Sequence, residues 1–366
     1  MKVLILSANN GAGHNTAAAA IKTQLEKKGI YADIEDSVAF ISKGTSKFIS
    51  KGHVLLYRKF PLLLDAAMKS EAKKSTNAKK DTALYDIFKT GSKKLLKFIE
   101  LYGYDTVVCT HVFGAFMLTH IKREYGIPIK TAFVATDYSC SIGVAQTDMD
   151  IYFLPHERLK EEFLKNGVAE EKMCFSGIPV RESFYYKRDK NSAKEELFIP
   201  KELRILLLMG GSMGAGPMLK IATDLSESVA RDVQIIVVCA GNASLRKELH
   251  KLKRRNIRIM GYTSKINLLM NACELMISKP GGLSCTEAAA SKTPAIYMDI
   301  VKGCETANMR FFSDMGYALY ADTEEQLIKK VNQFLHDENA AKKIIRNIEE
   351  SFPKHAAEDI AGKLTN

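Results

Sequence analysis

No two of the seven cysteines, at positions 109, 140, 174, 239, 273, 285 and 304, stand at CxxC spacing. Neither a zinc site nor a disulfide framework is suggested, and a reducing, cytoplasmic setting fits the pattern. Prolines are few, at 9 in 366 residues, and no tract is repeated or compositionally biased, which argues against disorder. Apolar runs fall short of the roughly 18 residues that a membrane-spanning helix needs. The best candidate, residues 107–121, is broken by His111 and His120. A charged leader before a removable apolar segment is also missing, because the chain opens directly on a strand-like run over residues 1–8. Secretion and membrane spanning are excluded on this reading, and any membrane contact has to be peripheral.

What is present points to an ordinary folded protein. The chain is 46% hydrophobic and 26% charged, enough to bury sizeable cores, and its length exceeds what one core usually organises. The net charge of +11 is unevenly placed: residues 42–97 hold 13 Lys and 1 Arg against 4 acidic residues, and the rest is almost neutral. Such a patch attracts nucleic acid phosphates or the anionic lipids of a cytoplasmic leaflet.

Apolar runs followed by helix-like stretches recur along the whole length, the pattern of parallel sheets with crossover helices. Strands are expected over residues 2–7, 31–36, 106–110, 130–135, 151–154 and 172–175, and in a second series over 204–209, 233–239, 257–260, 275–278, 295–298 and 318–320. The expected fold is α/β, with two doubly wound, Rossmann-like domains facing across a cleft. The first covers residues 1–181 and the second 204–349, with 182–203 as a charged linker closed by Pro200 and a last helix, about 350–366, packing back on the first domain. Ligands of such sheets bind beyond the carboxyl ends of the strands, so the loops there carry the chemistry.

Three of those loops are rich in glycine. The first, from Ser7, contains Gly11, Gly13 and His14 before an alanine-rich helix expected from about Thr16. Thr16 occupies the third glycine position of a dinucleotide fingerprint, which weakens an NAD site. His14 reads either as a helix cap or, at the mouth of a ligand site, as a general base. The second loop, Gly210 to Gly216, has four glycines after a buried run. It is either a tight turn or a cradle for a diphosphate. The third runs from Lys279 and Pro280 through Gly281, Gly282 and Leu283 to Glu287. Ser284 and Thr286 are available hydroxyls near the helix start, and Glu287 is expected in its first turn. There it is either a solvated residue favoured by the helix dipole or the acceptor of two ribose hydroxyls.

GAGH near the start, TDY at residues 136–138, GIPVR at 177–181, GGSMGAG at 210–216 and KPGGLSCTEAAA at 279–290 occur in that order. Together they resemble the bacterial processive diacylglycerol glucosyltransferases and the plant monogalactosyldiacylglycerol synthases. More distantly, the chain is similar to the lipid II-forming N-acetylglucosaminyltransferase. The resemblance implies the two-domain GT-B fold and inverting transfer of a hexose from a UDP-sugar to diacylglycerol, with no metal and no other cofactor. It places the donor on the second domain. Gly211, Ser212 and Met213 line the diphosphate turn, Tyr262 meets the base and Glu287 the ribose. Lys279, Gly281, Gly282 and Leu283 approach the phosphates, Arg181 neutralises the leaving diphosphate, and Glu305 and Asn308 meet the sugar. On the first domain His14 is the base and Asp137 assists or caps a turn. Gly11 and Gly13 shape the acceptor loop, which His111 lines unless it only packs. The bacterial character of the match favours glucose over galactose.

The basic segment then acquires a use. Lys47, Phe48, Lys51, Leu55, Leu56, Arg58, Lys59 and Phe60 interleave cations with large apolar groups. That suits an element lying on the inner face of the cell membrane, although an amphipathic helix packed on the sheet has the same look. Nucleic acid is disfavoured, because aliphatic residues outnumber stacking aromatics there. Residues 139–148 read SCSIGVAQTD, without the His and Trp common in the family at that place, and the chain has no tryptophan. A polyprenyl-linked or non-lipid acceptor, or a non-catalytic UDP-binding protein, is therefore the alternative.

Overall fold

A computed structural model describes residues 1–9, 12–41, 83–211, 214, 216–298 and 305–366. It divides into two compact units, Met1–Glu182 with Pro353–Asn366, and Ser183–Phe352. Gly11, Ser212 and Met213, and the expected membrane-facing residues Lys47, Phe48, Lys51, Leu55, Leu56, Arg58, Lys59 and Phe60, lie outside the described residues.

The first unit is built on a six-stranded sheet: β1 (Lys2–Ser7), β2 (Tyr31–Asp36), β3 (Thr106–Cys109), β4 (Lys130–Val134), β5 (Ile151–Leu154) and β6 (Met173–Phe175), in the order β2-β1-β3-β4-β5-β6. All neighbours pair in parallel, with Leu4 beside both Asp33 and Val107. Val3 to Leu6 and Val107 to Cys109 are fully buried, as strands covered by helices on both faces require. Chain order reverses between β1 and β3, which makes the ends of these two strands the switch point where a ligand site forms.

The helix after β1 runs over Ala12–Lys27, four residues earlier than expected, so Gly13 and His14 belong to its first turn and not to a loop. Its alanine face lets the C-terminal helix Ala356–Thr365 approach closely. Ile360, Ala361 and Leu364 join Val3, Ile5, Ala18, Ile21 and Leu25 in one core, each large aliphatic contributing about 1.5–3 kcal/mol. Lys130 Nζ donates to the Leu364 carbonyl at 2.9 Å and ties the end of that helix to β4.

The second unit repeats the plan with β7 (Arg204–Met209), β8 (Val233–Val238), β9 (Ile257–Met260), β10 (Leu275–Ser278), β11 (Ala295–Met298) and β12 (Leu319–Ala321). The order is β12-β11-β10-β7-β8-β9, again all parallel. Its switch point lies between β7 and β10. The stretch read as a linker belongs to this unit from Ser183 on. It carries the helix Lys190–Glu196, capped by Asp189. The helix buries Ala193 on its inner side, and Leu197 and Ile199 are buried just beyond its end. High charge hid this element because one of its cations is internal: Lys194 donates to the carbonyls of Leu203 (2.6 Å) and Lys201 (3.3 Å).

Candidate functional site

In the first unit the first turn of the helix after β1, the residues after β3 and those after β4 bring five side chains together: His14, Thr110, His111, Thr136 and Asp137. His14 Nδ1 donates to the Thr110 carbonyl at 2.9 Å, and the Thr136 hydroxyl lies 3.0 Å from the same nitrogen. The Thr110 hydroxyl donates to the His14 carbonyl at 3.3 Å, closing the contact from the other side. A carbonyl oxygen only accepts, so in the neutral ring Nδ1 carries the proton and Nε2 holds the lone pair. Nε2 has no hydrogen-bond partner among the described residues.

Burial pushes the His14 pKa below its ordinary value, against the upward pull of the Asp137 charge and the Thr110 carbonyl. The imidazole is therefore neutral near pH 7 and able to take a proton. His111 stands edge-on to it, with ring centroids 4.6 Å apart. His111 also caps the helix Val112–Tyr125, where its Nδ1 accepts from the Phe113 N–H at 3.3 Å. The cap thus fixes the ring that lies against His14.

One polar chain that the sequence did not advertise fixes the start of the His14 helix. Ser7 donates to Asn15 Oδ1, Asn15 Nδ2 to Asn9 Oδ1 (2.7 Å), and Asn9 Nδ2 to Asp36 Oδ2 (2.7 Å). Each asparagine donates from one end of its amide and accepts at the other, and the chain ends on a carboxylate. The signal was three polar residues at the carboxyl ends of two adjacent strands, each unremarkable alone.

In the second unit the loops after β7 and β10 meet. Gly211, at φ +68°, lies so close to Lys279 that a Cβ there would come 2.6 Å from Lys279 Cε. Lys279 forms an ion pair with Glu305, the two side chains 12% and 16% exposed. Gly281 faces the same pair, a Cβ there falling 3.3 Å from Glu305 Oε1. The helix Gly282–Ala290 begins directly after Gly281, which has no side chain to cap it. Its first N–H groups, those of Gly282 and Leu283 included, therefore form the positive end of a helix dipole beside Lys279.

Several expected contacts are relocated. Because the helix starts at Gly282, Glu287 falls in its second turn and not its first. Thr286 is buried and donates to the Gly282 carbonyl at 2.7 Å, so its hydroxyl is internal. Asn308 is 1% exposed and its amide donates to the Pro280 carbonyl at 3.0 Å. That bond braces the loop of Pro280, where Asn308 borders the ion pair of Lys279 and Glu305. Glu305, expected at the sugar, pairs with Lys279. Tyr262, on the turn after β9, is 86% exposed, and Arg181 is an exposed residue of the first unit. Among the described residues no three His, Cys, Asp or Glu side chains converge as metal ligands, and no helix is long and apolar enough to cross a membrane.

Gly214 is where the β7 loop touches its surroundings most tightly. With φ at +56°, a Cβ would sit 2.4 Å from the Cys239 carbonyl oxygen. Gly214→Ala should cost about 1–3 kcal/mol from left-handed strain and displaced backbone. The thermal midpoint should fall by roughly 3 °C or more in a melting curve, and an unchanged midpoint would contradict the packing described.

Residues 14–180 match the family described as monogalactosyldiacylglycerol (MGDG) synthase, and residues 205–361 the glycosyltransferase family 28 C-terminal domain. A processive diacylglycerol beta-glucosyltransferase of Bacillus licheniformis is 28% identical over 98% of this chain and 93% of its own. That of Bacillus subtilis is 27% identical at the same coverage. Among solved structures, MurG of Acinetobacter baumannii superposes with a TM-score of 0.66 at 14% identity, covering 100% of this chain and 99% of its own. A UDP-GlcNAc 2-epimerase of Neisseria meningitidis bound to UDP-GlcNAc gives a TM-score of 0.66 at 14% identity, with 100% of each chain covered. The fold, two Rossmann-like units with parallel sheets, is of the GT-B type.

Proposed function

We propose that this chain is a UDP-sugar-dependent hexosyltransferase acting on diacylglycerol, a reading supported by the MGDG synthase match over residues 14–180 and the glycosyltransferase family 28 C-terminal match over residues 205–361. The observation that carries the chemistry is the fixed tautomer of His14, a neutral imidazole whose Nδ1–H is held by a backbone carbonyl while Nε2 presents its lone pair. As the acceptor hydroxyl attacks the anomeric carbon, Nε2 takes its proton. The new carbon–oxygen bond forms as the bond from that carbon to the diphosphate oxygen breaks. Glycolipid, UDP and one proton, carried first by His14, are the products. A single displacement of this kind inverts the anomeric centre.

The second unit supplies the charge for the leaving group. Lys279 and the N-terminus of the helix at Gly282 meet the diphosphate, Glu305 holds Lys279 in place, and Glu287 and Tyr262 take the ribose and the base. Cations and backbone dipoles fixed in advance are what a departing diphosphate requires. Glucose is the hexose we propose, on the strength of the Bacillus relatives' names.

The test is a donor panel. Diacylglycerol vesicles are incubated with UDP-glucose, UDP-galactose or UDP-N-acetylglucosamine, and the lipids are separated by thin-layer chromatography. Glucosyldiacylglycerol should form from UDP-glucose, with and without EDTA, since no metal enters the reading. Synthesis should rise with anionic lipid and fall with salt if the chain works on a charged surface. Failure of every donor to yield a glycolipid would remove the proposal.

A further inference from the structure

Arg246 is an exposed residue of the second unit. It lies on the helix Ala243–Lys251, which Asn242 caps by accepting from the Leu245 N–H at 3.0 Å. The Asn242 amide also donates to the Gly214 carbonyl at 2.9 Å, which fastens the start of this helix to the glycine loop after β7. Arg246, one turn in, therefore stands at the carboxyl end of the sheet, where ligands bind. Its Nη1 lies 3.6 Å from the position a Cβ would occupy on Gly261, the residue after β9. The guanidinium thus sits over the turn that carries the exposed Tyr262. Burial raises the Cys239 thiol pKa and the Arg246 charge pulls against it, which locates the guanidinium near the end of β8 as well.

Four other arginines of this unit are held by neighbours: Arg204 by Asp232, Arg188 by Glu196, Arg254 by Glu227 and Arg258 by the Leu197 carbonyl; what distinguishes Arg246 is its place over Gly261 at the carboxyl end of the sheet. Arg246 is exposed and has no ion pair or hydrogen bond among the described residues. A planar guanidinium has donors in a fixed fork and cannot accept. Placed over the turn proposed to meet the base, it suits a ring that presents carbonyl oxygens along its edge. Uracil does so at both O2 and O4, whereas cytosine replaces O4 with an amino group that only donates.

We infer that Arg246 is a specificity-determining residue that reads the O4 carbonyl of the uracil ring and so selects a uridine over a cytidine nucleotide. The inference rests on the donor-site reading above and adds to it the side chain that discriminates between pyrimidines.

Calorimetric titration of the full chain with UDP and with CDP tests it. The wild type should bind UDP about tenfold or more tightly than CDP, as the loss of one charge-assisted hydrogen bond implies. Arg246→Ala should weaken UDP binding by about tenfold to a hundredfold and change CDP binding by less than about threefold, so that the preference collapses. Arg246→Lys should recover part of the UDP affinity. Equal weakening of both nucleotides would assign the residue to the phosphates, and no change in either would leave it outside the site; each overturns the inference. A wild type that binds neither nucleotide would remove the donor site, and this inference with it. Unaltered melting of the variants, expected for an exposed side chain, keeps the comparison to binding.

Discussion

Replacing His14 by alanine should lower kcat/KM by about 10²- to 10⁴-fold, the range in which a positioned general base contributes, while UDP binds with unchanged affinity. The separation follows from the architecture. His14 sits on the first unit, held by Thr110 and Thr136, and the groups assigned to the donor belong to the second. Radiolabelled sugar transfer into diacylglycerol vesicles gives the rate, and calorimetry with UDP gives the affinity. Asparagine at the same position is informative beside alanine, because it occupies similar space and cannot act as a base near pH 7. Full turnover in either variant would remove His14 from its role. Loss of UDP binding with the rate would mean that the residue acts on the donor.

Lys279→Met should raise the KM for the UDP-sugar by about tenfold to a hundredfold, the value of a hydrogen bond between charged partners. It should also destabilise the second unit, since Glu305, 16% exposed, would be left almost buried without its cation. Breaking such a pair costs about 3–5 kcal/mol. A second substitution separates the two effects. In Lys279→Met with Glu305→Gln the orphaned charge is gone, so the melting temperature should recover most of the loss while the KM stays high. If KM recovers together with stability, Lys279 supports the loop and does not touch the diphosphate.

Much of this organisation was legible along the chain because parallel strands covered on both faces are nearly continuous apolar runs. KVLILS, RILLLM and VQIIVV need no partner to be recognised. What escaped depends on contacts distant in sequence. The helix after β1 begins at Ala12 and not at Thr16, and the chain from Ser7 through Asn15 and Asn9 to Asp36 that pins its start spans two strands. That the Asn308 amide donates to the carbonyl of Pro280, 28 residues earlier, is another such contact. The helix Lys190–Glu196 was masked by its charge, since nothing local distinguishes an internal lysine from a solvated one. Arg246 carried no signature either, being one cation in a basic helix until Gly261 is placed beneath it. His14 was recognisable from its position after a strand; that its lone pair is on Nε2 required the Thr110 carbonyl.

The proposed base is tested most directly by the pH dependence of kcat/KM for transfer into diacylglycerol vesicles, measured for the wild type and for His14→Ala side by side. Because burial holds the His14 pKa below its ordinary 6.5, the wild-type rate should fall on acidification only below that pH, as the imidazole takes up a proton and ceases to be a base. The variant should show a lower rate without this acid limb. An acid limb that survives in the variant, at the same midpoint, would contradict the account.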